Sequence, residues 1–363
     1  MIINFDKDFF ASQKLCQSNK IKKTMAILVT GGLGYIGSHT VVELLNNNFE
    51  VVIIDDLSNT EKFILENIEE VSGKKPIFYP FDLKRKELLK QVFDAHNIEG
   101  CIHFAAYKAV GESQVKPIEY YENNLFSLIN LLQEFRERNI SNFIFSSSCT
   151  VYGQADKMPI DEETELKLPE SSYGKTKQMG EEILRDFAAA YKKRVTLLRY
   201  FNPIGAHPSA KLGELPIGIP NNLIPFVMQT AAGIREKLSI WGDDYPTVDG
   251  TAVRDYIYVV DLAKAHVKAL QKLINSSEEK VIDIYNLGTG KGSSVLEVVH
   301  AFEKANDVKV PYEIKDRRAG DITIAYANAD KAEKELGWKS ETSLEEALRT
   351  VWQWQKYLET RIN

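Results

Sequence analysis

Between residues 26 and 203 the chain alternates short apolar runs with longer amphipathic stretches. Residues 26–30 (Ala-Ile-Leu-Val-Thr) are apolar without alternation, the pattern of a strand buried on both faces. Runs of the same kind recur at 50–55, 76–80, 101–104, 142–148 and 195–201. Between them, 38–46, 117–138 and 172–191 carry apolar residues at helical spacing. Strands alternating with helices predict an α/β fold, a Rossmann-type doubly wound parallel sheet. Composition shifts after 203: residues 202–225 hold five of the twelve prolines and several glycines, which predicts irregular loops around a ligand. Helices at 226–237, 262–273 and 295–305 and strands at 238–241, 256–260 and 281–287 are expected beyond it. We read 25–203 as one domain and 204–363 as mainly a smaller, mixed α/β domain, some of whose segments can return to the first. Residues 1–24 read as an N-terminal extension.

Composition narrows the function. The chain has 363 residues, 44% apolar and 26% charged, with a net charge of -6. No basic excess points to nucleic acid, and no apolar run approaches the roughly 20 residues that span a bilayer. Cys16, Cys101 and Cys149 are scattered, without disulfide or metal-ligand spacing, so no metal site is expected. A cytoplasmic enzyme is the expectation.

The chemistry begins at the first strand. Gly31, Gly34 and Gly37 form G-x-x-G-x-x-G between a strand and a helix, with Tyr35 and Ile36 inside the turn. Such a turn lets backbone amides approach a pyrophosphate at a helix N-terminus. The second strand ends in Asp55 and Asp56, 18 residues beyond the last glycine in the case of Asp55. An acid there suits adenosine ribose hydroxyls and repels a 2′-phosphate, which favours NAD over NADP. Asp82 and Leu83 follow the third strand, where the acid can sit beside adenine. Phe104, Ala105 and Lys108 follow the fourth, on the loops where doubly wound folds bind ligands. Ser148 closes the serine-rich fifth strand. On the helix at 172–191, Tyr173 and Lys177 lie four residues apart and share a face. The ammonium is expected to favour the phenolate, making the pair a proton-transfer device for a sugar or alcohol hydroxyl. The glycines at 288–292 lack phosphate-loop spacing and read as a strand-to-helix turn.

Together these motifs resemble the extended short-chain dehydrogenase/reductase family and, within it, the UDP-glucose 4-epimerases. The resemblance runs from about residue 25 to 357, carried by blocks at 31–39, 103–113, 146–153, 173–177, 198–203, 218–223, 249–257 and 285–288. It implies an isomerase of galactose metabolism that interconverts UDP-galactose and UDP-glucose through a transient 4-keto sugar, with tightly bound NAD. Tyr173 is then the expected base at the 4-hydroxyl, Ser148 relays or positions that proton, and Lys177 binds the nicotinamide ribose. Lys108, Asn123 and Phe201 help enclose the cofactor. Asn202, Asn222, Leu223, Arg254, Arg318 and Asp321, with Lys108, are the expected UDP-sugar anchors, the arginines suiting diphosphate oxygens.

A nucleotide-sugar 4,6-dehydratase is the nearest alternative, but in dehydratases an Asp-Glu pair follows the threonine after the serine strand. Here Thr150 is followed by Val151 and Tyr152. A catalytically silent NAD-binding protein has no use for Ser148, Tyr173 and Lys177 together. The resemblance places Ala325 at the wall of the sugar pocket, a small residue that admits N-acetylated UDP-sugars; a slip of one residue places Tyr326 there and closes it. It also implies a homodimer built on the helices at 117–138 and 172–191, using Leu125, Leu128, Ile129, Leu132, Ile183 and Phe187.

Overall fold

The computed structural model describes residues 25–220, 222–317 and 321–362; the extension expected at 1–24 lies outside the described residues. Seven strands make the main sheet: β1 (Met25–Thr30), β2 (Glu50–Ile54), β3 (Ile77–Tyr79), β4 (Asn97–His103), β5 (Asn142–Ser148), β6 (Arg194–Tyr200) and β7 (Val281–Leu287). Their spatial order is β3-β2-β1-β4-β5-β6-β7, and every pairing is parallel. The order reverses between β1 and β4, which opens a crevice at the C-terminal ends of the strands.

Helices α1 (Tyr35–Asn46), α2 (Phe63–Ser72), α3 (Lys86–Ala95), α4 (Pro117–Glu137), α5 (Ser172–Tyr191) and α6 (Val259–Asn275) cover the two faces. Ile27 and Val29 join the core on the α1 and α6 side, while Ala26 and Leu28 join the core that includes Leu128 and Leu184. Both faces of β1 are therefore dry, the physical reason for its unbroken apolar run. Burying each of the larger side chains, Ile27, Leu28 and Val29, contributes about 1.5–3 kcal/mol.

The C-terminal part adds small sheets. Asn202–Ile204 pairs with Tyr256–Tyr258, and Leu238–Trp241 with Tyr312–Lys315. Val253–Arg254 lies between Ser293–Ser294 and Ile324–Ala325. Two expectations shift. The helix predicted at 226–237 runs Leu223–Ala231: Pro225 is tolerated in its first turn, and Gly233, at φ +72°, lies two residues beyond its end. Strand 281–287, read with the second part of the chain, forms the edge of the main sheet beside β6.

The apolar residues of α4 and α5 separate into two sets. Leu128, Leu132 and Phe187 are buried in the core, whereas Phe126, Ile129 and Met179 are 55%, 38% and 40% exposed. Among the described residues no helix is long and apolar enough to cross a membrane.

Candidate active site

The glycine turn sits where β1 meets α1. Gly31 has φ +68°, and a Cβ on it would stand 2.8 Å from the Ala105 nitrogen. A Cβ on Gly37 would lie 2.1 Å from the Gly31 carbonyl. Bare backbone thus packs on bare backbone, and α1 follows Gly34 with no side-chain cap and no acidic residue in its first turn. An uncapped helix N-terminus behind such a turn is a seat for a pyrophosphate.

Asp55 follows β2, and its two carboxylate oxygens accept the Leu33 and Leu57 amides, each at 3.0 Å. Burial raises its pKa, while those hydrogen bonds oppose the rise. The carboxylate is held rigidly against the glycine turn, with lone pairs left for sugar hydroxyls. Asp56 instead turns outward and accepts both donors of Ser58. Asp82 accepts the Lys84 amide and pairs with its ammonium, and Leu83 is buried behind it. The amides of Phe104 and Ala105 both donate to the Thr30 carbonyl, which ties the β4 loop to β1.

Ser148, at the end of β5, caps the following turn by accepting the Thr150 amide. It is also hydrogen-bonded to the Tyr173 phenol. Ser171 caps the N-terminus of α5 by accepting the Gly174 amide, which sets where Tyr173 and Lys177 emerge. The Lys177 ammonium donates to the Ser146 carbonyl at 2.6 Å and lies 5.8 Å from the Tyr173 ring centre. Burial lowers Lys177 to about 7, with Glu181 opposing. Burial also pushes Tyr173 up to about 12, and the Ser148 hydrogen bond opposes that. The sequence predicts a phenol pulled down by its lysine; in the cleft desolvation of the phenolate dominates, opposed by Ser148 and not by Lys177, and the shift runs upward.

Two expected site residues, Lys108 and Asn222, meet on one carboxylate. Lys108 donates to Glu214 at 2.8 Å, and Asn222 donates to the same oxygen at 2.8 Å. Leu223 opens the helix that follows Asn222. Asn123 is buried on α4 and donates to Asn124, which binds the Tyr107 carbonyl and Thr176. Arg254 pairs with Asp321 at 2.7 Å. The Asn202 amide donates to the Asp255 carbonyl. Phe201 is buried in one cluster with Val151, Tyr152 and Ala325. Arg318 lies outside the described residues.

Ala325 is buried in that cluster, with Cys149 and Ile322 against it, whereas the Tyr326 side chain reaches toward Gly292. Strand alternation separates the two, so Ala325 is the residue on the side of the Ser148 loop.

Sequence reasoning missed several partners. Glu214 carries no local signal, since only the fold brings it to Lys108. Asp255 stood inside a matched block, but its role is tertiary. Its carboxylate fills the glycine turn at 288–292, accepting the amides of Thr289, Gly290 and Ala327. The loop that resembles a phosphate cradle is thus already occupied by an internal anion.

Residues 28–351 match the family model for GDP-mannose 4,6 dehydratase. The UDP-glucose 4-epimerase of Bacillus subtilis is 52% identical over 332 residues, 91% of this chain and 97% of that protein. That of Haemophilus influenzae is 51% identical, covering 92% of this chain and 98% of its own. Among solved structures, UDP-glucose 4-epimerase from Bifidobacterium longum in complex with NAD+ and UDP superposes with a TM-score of 0.88 at 48% identity, covering 92% of this chain and 98% of that one. The UDP-Glc/GlcNAc 4-epimerase of Campylobacter jejuni gives 0.79 at 35% identity, covering 92% and 99%.

Proposed function

This chain belongs to the UDP-glucose 4-epimerase family of extended short-chain dehydrogenases/reductases, and from that premise we propose that it interconverts UDP-galactose and UDP-glucose at one carbon. The observation that carries the assignment is one proton-transfer set, Ser148–Tyr173–Lys177, beside a bare glycine turn, in a chain about half identical to such epimerases. The residues present fit NAD. Gly31, Gly34 and Gly37, with Tyr35 and Ile36, would hold its pyrophosphate, Asp55 its ribose, and Asp82 and Leu83 its adenine side. Phe104, Ala105, Lys108, Asn123, Lys177 and Phe201 would enclose the rest. When bound, NAD supplies the acceptor that takes the C4 hydride and returns it, and a positive ring that favours the phenolate.

The protein's own part is proton handling and grip. Tyr173 takes the 4-hydroxyl proton, with Ser148 positioned to relay it, and gives it back on reduction. Lys177 keeps positive charge beside the phenolate, against the upward push of burial. Because the sugar must present both faces of C4, the grip falls on UDP: Asn202, Asn222, Leu223, Arg254, Arg318 and Asp321 are the residues we assign to it. Residues 25–203 then chiefly hold the cofactor and 204–363 mainly the UDP-sugar, with β7 returned to the sheet.

A dehydratase would need an acid and a base after Thr150. Val151 and Tyr152 are fully buried there, and the Tyr152 hydroxyl donates to Asn286. The position of Ala325 supports a pocket that also admits UDP-GlcNAc and UDP-GalNAc. We further propose a homodimer through the exposed Phe126, Ile129 and Met179 on α4 and α5; sedimentation of the protein as a monomer at micromolar concentration rejects it. The cytoplasm is the compartment we propose, supported by free Cys101 and Cys149, and cell fractionation tests it.

The deciding assay follows UDP-galactose conversion without added reductant. Turnover with no net NADH, abolished in Tyr173→Phe with NAD retained, supports the assignment; accumulation of NADH or of a dehydrated sugar rejects it.

A further inference from the structure

Behind the strand end that carries Ser148 lies a fully buried ion pair that the proton-transfer scheme does not use. Arg199 on β6 and Glu181 on α5 are each 1% exposed. The guanidinium engages the carboxylate through two nitrogens, at 2.8 and 2.5 Å. Ser147 donates to the same carboxylate at 2.6 Å. Arg199 also donates to the Tyr152 hydroxyl at 3.0 Å, and Tyr152 donates onward to Asn286 on β7.

Connectivity gives the pair its meaning. Ser147 lies between Ser146, whose carbonyl accepts Lys177, and Ser148, which meets Tyr173. Glu181 is one helical turn beyond Lys177 on α5. The bidentate pair therefore clamps the helix carrying the proton-transfer residues to β6, and the Ser147 hydroxyl ties the same carboxylate to β5, the strand that carries their partner. Planar fork-to-carboxylate geometry fixes direction as well as distance. The pair also places a carboxylate, balanced by a guanidinium, within a turn of the Lys177 ammonium.

We propose that Arg199 and Glu181 are positioning residues of this site, holding Tyr173, Lys177 and Ser148 in register and setting the net charge that Lys177 senses. The proposal rests on the epimerase reading for its kinetic consequence alone. The other groups facing Lys177 are Tyr173 on its own helix, Phe145 and Ser146 on β5, His103 on β4 and Tyr200 on β6, whose hydroxyl donates to Ser146. His103 is held near 3 by burial and by Lys177, so it is neutral at working pH. Arg185, 3.8 Å from Glu181 and partly exposed, is a second cation on the carboxylate. Glu181 is thus the anion among these groups, and Arg199 its buried counter-charge.

The test compares Glu181→Gln, Arg199→Met, the double variant and Arg199→Lys, all as purified NAD-loaded protein. Glu181→Gln leaves an unbalanced cation and should move the Lys177 titration to lower pH. Arg199→Met leaves an unbalanced carboxylate and should move it to higher pH. Each shift should be on the order of one pH unit, and the double variant should return near the wild-type midpoint. The Lys177 13Cε resonance, assigned by its loss in Lys177→Met, reads this titration whether or not the protein turns over. The pH dependence of kcat for UDP-galactose should move in the same opposed senses, and Arg199→Lys should keep the midpoint while losing turnover. Folded single variants whose resonance titrates at the wild-type midpoint overturn the proposal. So does a double variant displaced as far as either single. If the resonance behaves as stated but wild-type protein does not epimerise UDP-galactose, the functional assignment fails while the charge linkage stands.

Discussion

Replacing Lys177 by methionine should stabilise the NAD-free protein at neutral pH while abolishing turnover. Lys177 is 4% exposed, and burial lowers its pKa from 10.5 to about 7. A base held below its unfolded value binds fewer protons when folded. Below pH 7 the folded chain must keep the buried ammonium charged, and that costs about 5 kcal/mol relative to the unfolded chain. Between about 7 and 10.5 the unfolded state binds the extra proton, so wild-type stability rises with pH and the penalty fades. Methionine removes the penalty but leaves the Ser146 carbonyl, now bonded at 2.6 Å, without its donor, a loss of about 1–3 kcal/mol. The net gain is about 2–4 kcal/mol. For 363 residues that is a rise in Tm of about 3–5 °C. Thermal unfolding of both NAD-free proteins from pH 6 to 9 measures it. The gap should be widest at pH 6 and narrow toward pH 9. A variant no more stable than wild type at pH 6, or a gap that fails to narrow, refutes the reasoning.

The same geometry predicts other outcomes. Ala325→Tyr should leave UDP-galactose turnover within a few-fold and cut UDP-GalNAc turnover by at least tenfold; equal loss on both sugars in competition kinetics would show that Ala325 does not face the sugar. Gly37→Ala would place a methyl group 2.1 Å from the Gly31 carbonyl, and overpacking against backbone should destabilise the fold by about 1–3 kcal/mol and lower the NAD retained on purification. Unchanged NAD content and urea midpoint would contradict that close approach. Asp255→Ala would orphan the buried amides of Thr289, Gly290 and Ala327, costing about 3–5 kcal/mol. Denaturant melts should show it, and a loss below 1 kcal/mol would mean that water replaces the carboxylate.

Much of this protein is decided locally. The unbroken apolar run of β1, the short apolar cores of β5 and β6, the glycines after β1, and Tyr173 and Lys177 at helical spacing are short-range facts, because strand burial, turn sterics and helix periodicity act over a few residues. Strand β5 at Asn142–Ser148 and helix α5 at Ser172–Tyr191 sit where the pattern places them. What required the folded chain depends on partners distant in sequence. The seventh strand joins the sheet only because β6 offers an edge. Asp255 fills the turn at 288–292, and Glu214 reaches Lys108 across more than a hundred residues. Ala325 rather than Tyr326 lies on the Ser148 side because strand register, not composition, selects the face. The pKa values of the Tyr173/Lys177 pair also belong to this second group. Spacing could put an ammonium near a phenol, but desolvation depends on everything packed around them, and burial decides the direction of both shifts.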